Sequence, residues 1–188
     1  MVNKITMWLI LEPLLYIREF MHLADISRRL RIPHPTLRKY LNDFEKIGIV
    51  IKQFKGGLTM YKLNYTNPLI EDYIQLIEKE RLIDKCQKEL LLREIISFTH
   101  ENVGDKKLLI FGSATKDIKK ANDIDLLALG DMDIKEKLKL LEKKLNINFH
   151  VINIKKIDEI SYGLKKEIID KHIIINNAEE FVRWMLKN

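Results

Sequence analysis

The chain has 188 residues, 46% of them apolar, enough to bury a core in one domain or two small ones. Cys86 is its only cysteine, which excludes an intramolecular disulfide and a cysteine metal cluster, and no run of about 18 uncharged apolar residues is present to form a spanning helix. The net charge of +6 sits entirely in residues 1–66, with 11 Lys/Arg against 5 Asp/Glu, while residues 67–188 hold 22 of each, as expected if the first third alone meets a polyanion.

In chain order, apolar residues dominate positions 5–20, which predicts a helix broken at Pro13. Residues 22–30 read as a short amphipathic helix, with Leu23, Ile26 and Leu30 on one face and Arg28 and Arg29 facing outward. Arg31-Ile32-Pro33-His34 forms a turn, and Pro35 is suited to the first position of a helix running to about Ile47, where Gly48 ends it. Two strand-like runs, 49–54 and 58–63, are joined by Lys55-Gly56-Gly57, a glycine pair able to supply the positive φ of a tight hairpin. Asn67-Pro68 opens a helical region to about His100, one or two helices long, read as a connector and a candidate homodimer surface. Cys86 lies within it as a small packing residue. Beyond Gly104-Asp105 the pattern becomes strand (107–111), strand (123–129), helix (133–145), strand (148–154), helical material (158–170), strand (172–175) and a closing helix (178–186).

Three helices followed by a glycine-tipped hairpin is the order of a winged helix-turn-helix. Residues 5–66 resemble that family, in particular over His22-Leu23-Ala24-Asp25-Ile26-Ser27-Arg28-Arg29-Leu30 and Thr36-Leu37-Arg38-Lys39-Tyr40-Leu41. The resemblance implies a helix that enters the DNA major groove, and its polar face carries His34, Thr36, Arg38 and Lys39. Arg28, Arg29 and Arg31 would meet phosphates, and Lys52 and Lys55 would charge the wing. Winged helices also serve as protein-interaction modules, so duplex DNA is favoured by the charge partition rather than by the fold.

In the last part, Leu108-Leu109-Ile110-Phe111-Gly112-Ser113-Ala114-Thr115-Lys116 is followed by Asn122-Asp123-Ile124-Asp125-Leu126-Leu127. Residues i and i+2 of a strand share a face, so Asp123 and Asp125 present two carboxylates side by side, a hard-oxygen pair suited to Mg²⁺ or Mn²⁺. Gly112 lets a phosphate approach the backbone and Ser113 adds a hydroxyl; a helix starting there would also favour an anion. Lys116, Lys119 and Lys120 could offset triphosphate charge. The stretch 106–186 resembles the minimal polymerase-β-type nucleotidyltransferases, which implies metal-dependent binding of an NTP. That family also uses a third carboxylate from a later strand. Here the corresponding run, Asn146-Ile147-Asn148-Phe149-His150-Val151-Ile152-Asn153, holds no acid, and His150, with Asn148 as the alternative, takes its place. Asp131, Asp133 and Asp158 are close in sequence but fall in loops or helix starts. Histidine can act as a general base near neutrality, yet it is a poor Mg²⁺ ligand; a half-buried strand histidine without a catalytic role is the competing reading, and the only one for His100 and His172.

These expectations describe an α+β, cytoplasmic protein without a membrane partner. It has a winged helix-turn-helix over 1–66, a helical connector over 67–103, and a nucleotidyltransferase-like mixed sheet flanked by helices over 104–188. Two functions follow. One is a DNA-binding regulator whose last domain binds NTP and Mg²⁺; the other is an active transferase moving NMP onto a protein, RNA or small-molecule hydroxyl, in one version within a toxin–antitoxin or defence system.

Overall fold

The computed structural model describes residues 7–104, 106–121, 123–130 and 134–187, so the expectations placed on residues 5 and 6, Asp105, Asn122, Asp131 and Asp133 lie outside the described residues. The chain is α+β and forms two compact units, one up to Arg81 and one from Leu82 onward. Among the described residues no helix is long and apolar enough to cross a membrane.

The first unit opens with α1 (Met7–Leu11) and a 3-10 turn over Glu12–Leu14. The helix expected over 5–20 does not continue beyond it. Pro13 tightens the chain into the 3-10 turn, Tyr16 adopts a φ of 59°, and the backbone then extends into β1 (Met21–His22). The reason is tertiary. The Tyr16 hydroxyl donates to Glu78 Oε1 at 3.0 Å on α4 (Ile70–Lys88), and Glu78, only 3% exposed, also pairs with Arg81 at 3.5 Å. Burial, then the Glu78 carboxylate, holds the Tyr16 hydroxyl well above its ordinary pKa.

After β1 come α2 (Leu23–Leu30) and α3 (His34–Lys46). Arg31, with φ 55°, and the Ser27 hydroxyl, donating to Ile32 O at 2.6 Å, close the turn between them. Helix α3 starts at His34, so Pro35 is its second residue, where a missing N–H also costs nothing. Strands β2 (Val50–Lys55) and β3 (Leu58–Leu63) form the hairpin, with Gly56 at φ 57° and Gly57 at φ 76°. Strand β1 pairs with β3, giving the antiparallel order β1-β3-β2. Ile26, Leu37, Leu41, Ile49, Tyr61 and Leu63 are fully buried in its core.

In the second unit the helical region breaks at Glu89, and α5 (Leu90–Val103) follows α4. Then come β4 (Lys107–Phe111), β5 (Asp123–Leu129), α6 (Lys135–Leu145), β6 (Asn148–Ile154), α7 (Tyr162–Asp170), β7 (His172–Ile174) and α8 (Ala178–Leu186). The helical material expected over 158–170 is a 3-10 turn at Ile157–Glu159 plus α7. The sheet runs β6-β5-β4-β7; β5 and β6 are parallel and the other pairs antiparallel, a mixed sheet. The even-numbered positions of β4 and β5, among them Leu108, Ile110, Ile124 and Leu126, share a core with Leu92 and Ile95 of α5 and Leu138 and Leu141 of α6. The pleat therefore turns Asp123 and Asp125, with Leu127 and Leu129, to the opposite face.

Candidate functional site

The site begins where β4 ends. Gly112 has a φ of 72°, which disfavours any L side chain, and a Cβ there would lie 2.8 Å from Asp125 Oδ2. Glycine is thus required twice, by the backbone and by the carboxylate beside it. The chain does not start a long helix at Ser113: Gly112–Thr115 is one 3-10 turn, so no extended helix dipole faces an anion here. The turn is fastened from several sides. Thr115 Oγ1 donates to Gly112 O at 2.7 Å, the Lys116 N–H to Ser113 O at 3.1 Å, and the Gly112 N–H to Lys171 O at 3.2 Å. Lys85 Nζ, from α4, donates to Thr115 O at 2.8 Å.

The ladder sets the acids. Phe111 pairs with Asp125, and on the other side Asp123 faces Asn148 and Asp125 faces His150. The His150 ring contacts Asp125 Oδ1 through Nδ1 at 3.1 Å, leaving Oδ2 towards Gly112. His150 is 68% exposed at its side chain and Asp125 30%, so His150 is a rim residue rather than the half-buried strand histidine of the competing expectation. His172 is buried against Ile168 O at 2.7 Å, a structural role.

Ser113, Lys120, Ala121, Asp123, Asp125 and His150 line one open cleft of about 450 Å³. Gly112 adjoins it through Asp125. Of the expected residues, Lys116 is exposed at the end of the turn and does not line the cleft; Lys120 does, while pairing with Asp117 at 3.2 Å. That lysine holds the Asp117 carboxyl below its usual range. Ile118, 2% exposed, pins the loop between them. One acid was not expected from the sequence: Glu167, on α7, has Oε1 3.7 Å from the same point above Gly112 that Asp125 Oδ2 approaches.

Among the described residues no three His, Cys, Asp or Glu side chains are already gathered around a common metal position. The donor set nevertheless fits a hard divalent cation. Two carboxylates share one strand face, and the missing Cβ of Gly112 leaves space at Asp125 Oδ2, while Mg²⁺ keeps several of its own waters.

In the first unit, Arg28, Arg29, Arg31, His34, Arg38, Lys39 and Lys55 are exposed and Thr36 is half-buried. Arg28 pairs with Asp25 on its own helix. His34 and Arg38 line a groove of about 160 Å³ with His22 and with Gly57, Leu58 and Thr59 of the hairpin. Lys52 stands apart: its ammonium donates to Asn42 Oδ1 at 3.1 Å and lies 3.8 Å from Glu45, so it braces the hairpin against α3.

No protein-family model matches this sequence, and no curated protein matches it either. Among solved structures, a toxin–antitoxin with AMP-PNP aligns over 50% of this chain and 81% of its own at 17% identity, TM-score 0.40. A mutant of the toxin–antitoxin MntA-HpeT aligns over 50% and 80% at 16% identity, TM-score 0.40. TrmBL2, described as an archaeal chromatin protein with a novel mode of DNA binding, aligns over 81% of this chain and 64% of its own at 13% identity, TM-score 0.26. Likeness of this degree assigns no function to the chain.

Proposed function

We propose that the chain is a DNA-binding regulator whose second unit binds a nucleoside triphosphate with Mg²⁺ or Mn²⁺. The observation that carries this reading is the single cleft lined by Ser113, Lys120, Asp123, Asp125 and His150 beside a glycine that cannot carry a side chain. In it Asp123 and Asp125 would hold the cation, Gly112 and Ser113 would receive the phosphates, and Lys120, together with Lys116, would offset their charge. The cation, when bound, neutralises phosphate oxygens. The first unit would place α3 in the major groove through His34, Thr36, Arg38 and Lys39, with Arg28, Arg29, Arg31 and Lys55 on phosphates. Titration calorimetry with ATP and Mg²⁺ tests the nucleotide half. Heat of binding that is lost in Asp123→Ala plus Asp125→Ala is expected, and the absence of heat in the wild-type chain overturns it.

A second reading, an active nucleotidyltransferase, is favoured by the position of Glu167. In such a transfer an acceptor hydroxyl oxygen attacks the α-phosphorus, the bond to the bridging oxygen breaks and pyrophosphate leaves, while a base takes the hydroxyl proton. Glu167 or His150 would be that base. Labelled AMP incorporated by the wild-type chain and reduced about 100-fold or more in Glu167→Gln would support it; incorporation that is equal in the variant would remove Glu167 from the chemistry.

A further inference from the structure

We infer that Lys85, near the end of α4, is a positioning residue that sets the Gly112–Thr115 turn for nucleotide binding, an inference that rests on the nucleotide-binding reading above. A lysine normally buries its stem and lifts its ammonium into water. Lys85 does otherwise: its side chain is 17% exposed, and Nζ donates at 2.8 Å to the carbonyl of Thr115, thirty positions along the chain. Its charge is met by Glu89 Oε1 at 3.8 Å, and Glu89 Oε2 is buried without a hydrogen-bond partner among the described residues. Withdrawing an ammonium and a carboxylate from water is unfavourable unless both are held. Here that cost is met at the turn carrying Ser113.

The turn has little rigidity of its own. It is one 3-10 turn, whose hydrogen bonds are poorer than those of an α-helix. Its start is tied to β7's neighbour by Gly112 N–H to Lys171 O, and its end is held by Lys85. Asp123 and Asp125 are fixed differently, by ladders to β4 and β6 that do not involve Lys85. Loss of the Lys85 ammonium should therefore weaken the phosphate-binding half of the cleft and spare the carboxylate half. A general loosening of the unit would weaken both.

The test uses the full chain, ATP with Mg²⁺ in calorimetry, and Mn²⁺ alone followed by electron paramagnetic resonance. In Lys85→Met, ATP affinity is expected to fall about tenfold, because the turn would hold its binding conformation only about a tenth of the time, with Mn²⁺ affinity unchanged; Lys85→Arg, which keeps a charged donor, should restore most of the ATP affinity. ATP binding in Lys85→Met equal to wild type overturns the inference and leaves the nucleotide reading standing. Equal losses of ATP and Mn²⁺ that arginine does not rescue also overturn it, since they report a merely structural lysine. Wild-type protein that binds no ATP overturns the reading itself. If Lys85→Met does not fold, amide exchange in the wild-type chain decides. ATP should slow exchange at Lys116 and also at Glu89, whose N–H bonds Lys85 O at 2.8 Å; slowing at Lys116 alone overturns the inference.

Discussion

Replacing Gly112 with alanine would set a methyl 2.8 Å from Asp125 Oδ2 on a backbone whose φ is 72°. The left-handed conformation alone costs an L residue about 1–2 kcal/mol, and the carboxylate must also move. Asp125 has limited freedom to do so, because its other oxygen is held by His150 at 3.1 Å. Gly112→Ala should therefore lower stability by about 2 kcal/mol in urea denaturation and weaken Mn²⁺ binding. An alanine variant of wild-type stability and Mn²⁺ affinity would show that Asp125 is not confined. Much of this was legible in the sequence: the glycine, the serine and the i, i+2 aspartates are local patterns, and the period of a strand fixes their common face. Lys85 and Glu167 were not legible. They reach Gly112–Thr115 from helices far along the chain, and no spacing rule marks a charged helix residue as directed at that turn.

Among the elements, most boundaries follow from periodicity and punctuation, as the glycine-tipped hairpin and α3 show. The segment after α1 does not, because a tyrosine at positive φ has no sequence signature. Tyr16 accepts that conformation where its hydroxyl can reach buried Glu78. Tyr16→Phe removes a donor from a carboxylate that is 3% exposed, and Arg81 at 3.5 Å compensates only in part. A loss of about 1–3 kcal/mol is expected in urea denaturation, the cost of a hydrogen bond to a charged group. A change below about 0.5 kcal/mol would mean that the contact does not hold the segment. The stacking of Arg18 on Tyr65 at 3.9 Å belongs to the same region, and burial there pushes the Tyr65 hydroxyl up to about 12. The break between α4 and α5 was open in the sequence. Glu89 takes an extended conformation, and its carboxylate is occupied with Lys85 rather than with capping the helix it precedes.

At the scale of the whole molecule, the charge partition makes a prediction that separates a DNA interface from an ordinary charged surface. Six arginine and lysine side chains assigned to DNA are exposed in the first unit: Arg28, Arg29, Arg31, Arg38, Lys39 and Lys55. If each neutralises one phosphate, the logarithm of the duplex association constant should fall with the logarithm of salt concentration at a slope of about −5. Arg38→Ala plus Lys39→Ala should then reduce that slope by about 2, if both meet phosphates, or cost sequence preference with a smaller change of slope if they read bases. Lys52 provides the internal control. It carries the same charge as the others and lies on the same strand as Lys55, but its ammonium is committed to Asn42 and Glu45 of α3. Lys52→Gln should leave the salt slope unchanged while loosening the hairpin. Fluorescence anisotropy on a labelled duplex across a salt series measures all three chains. Equal slopes in wild type and in the Arg38/Lys39 variant would take α3 off the DNA, and a slope reduced as much by Lys52→Gln would mean that net charge alone drives binding. Charge counting cannot distinguish Lys52 from Lys55, since both lie in the basic third of the sequence. The difference arises only when the hairpin folds onto α3, where one lysine finds a carboxylate and the other remains in water.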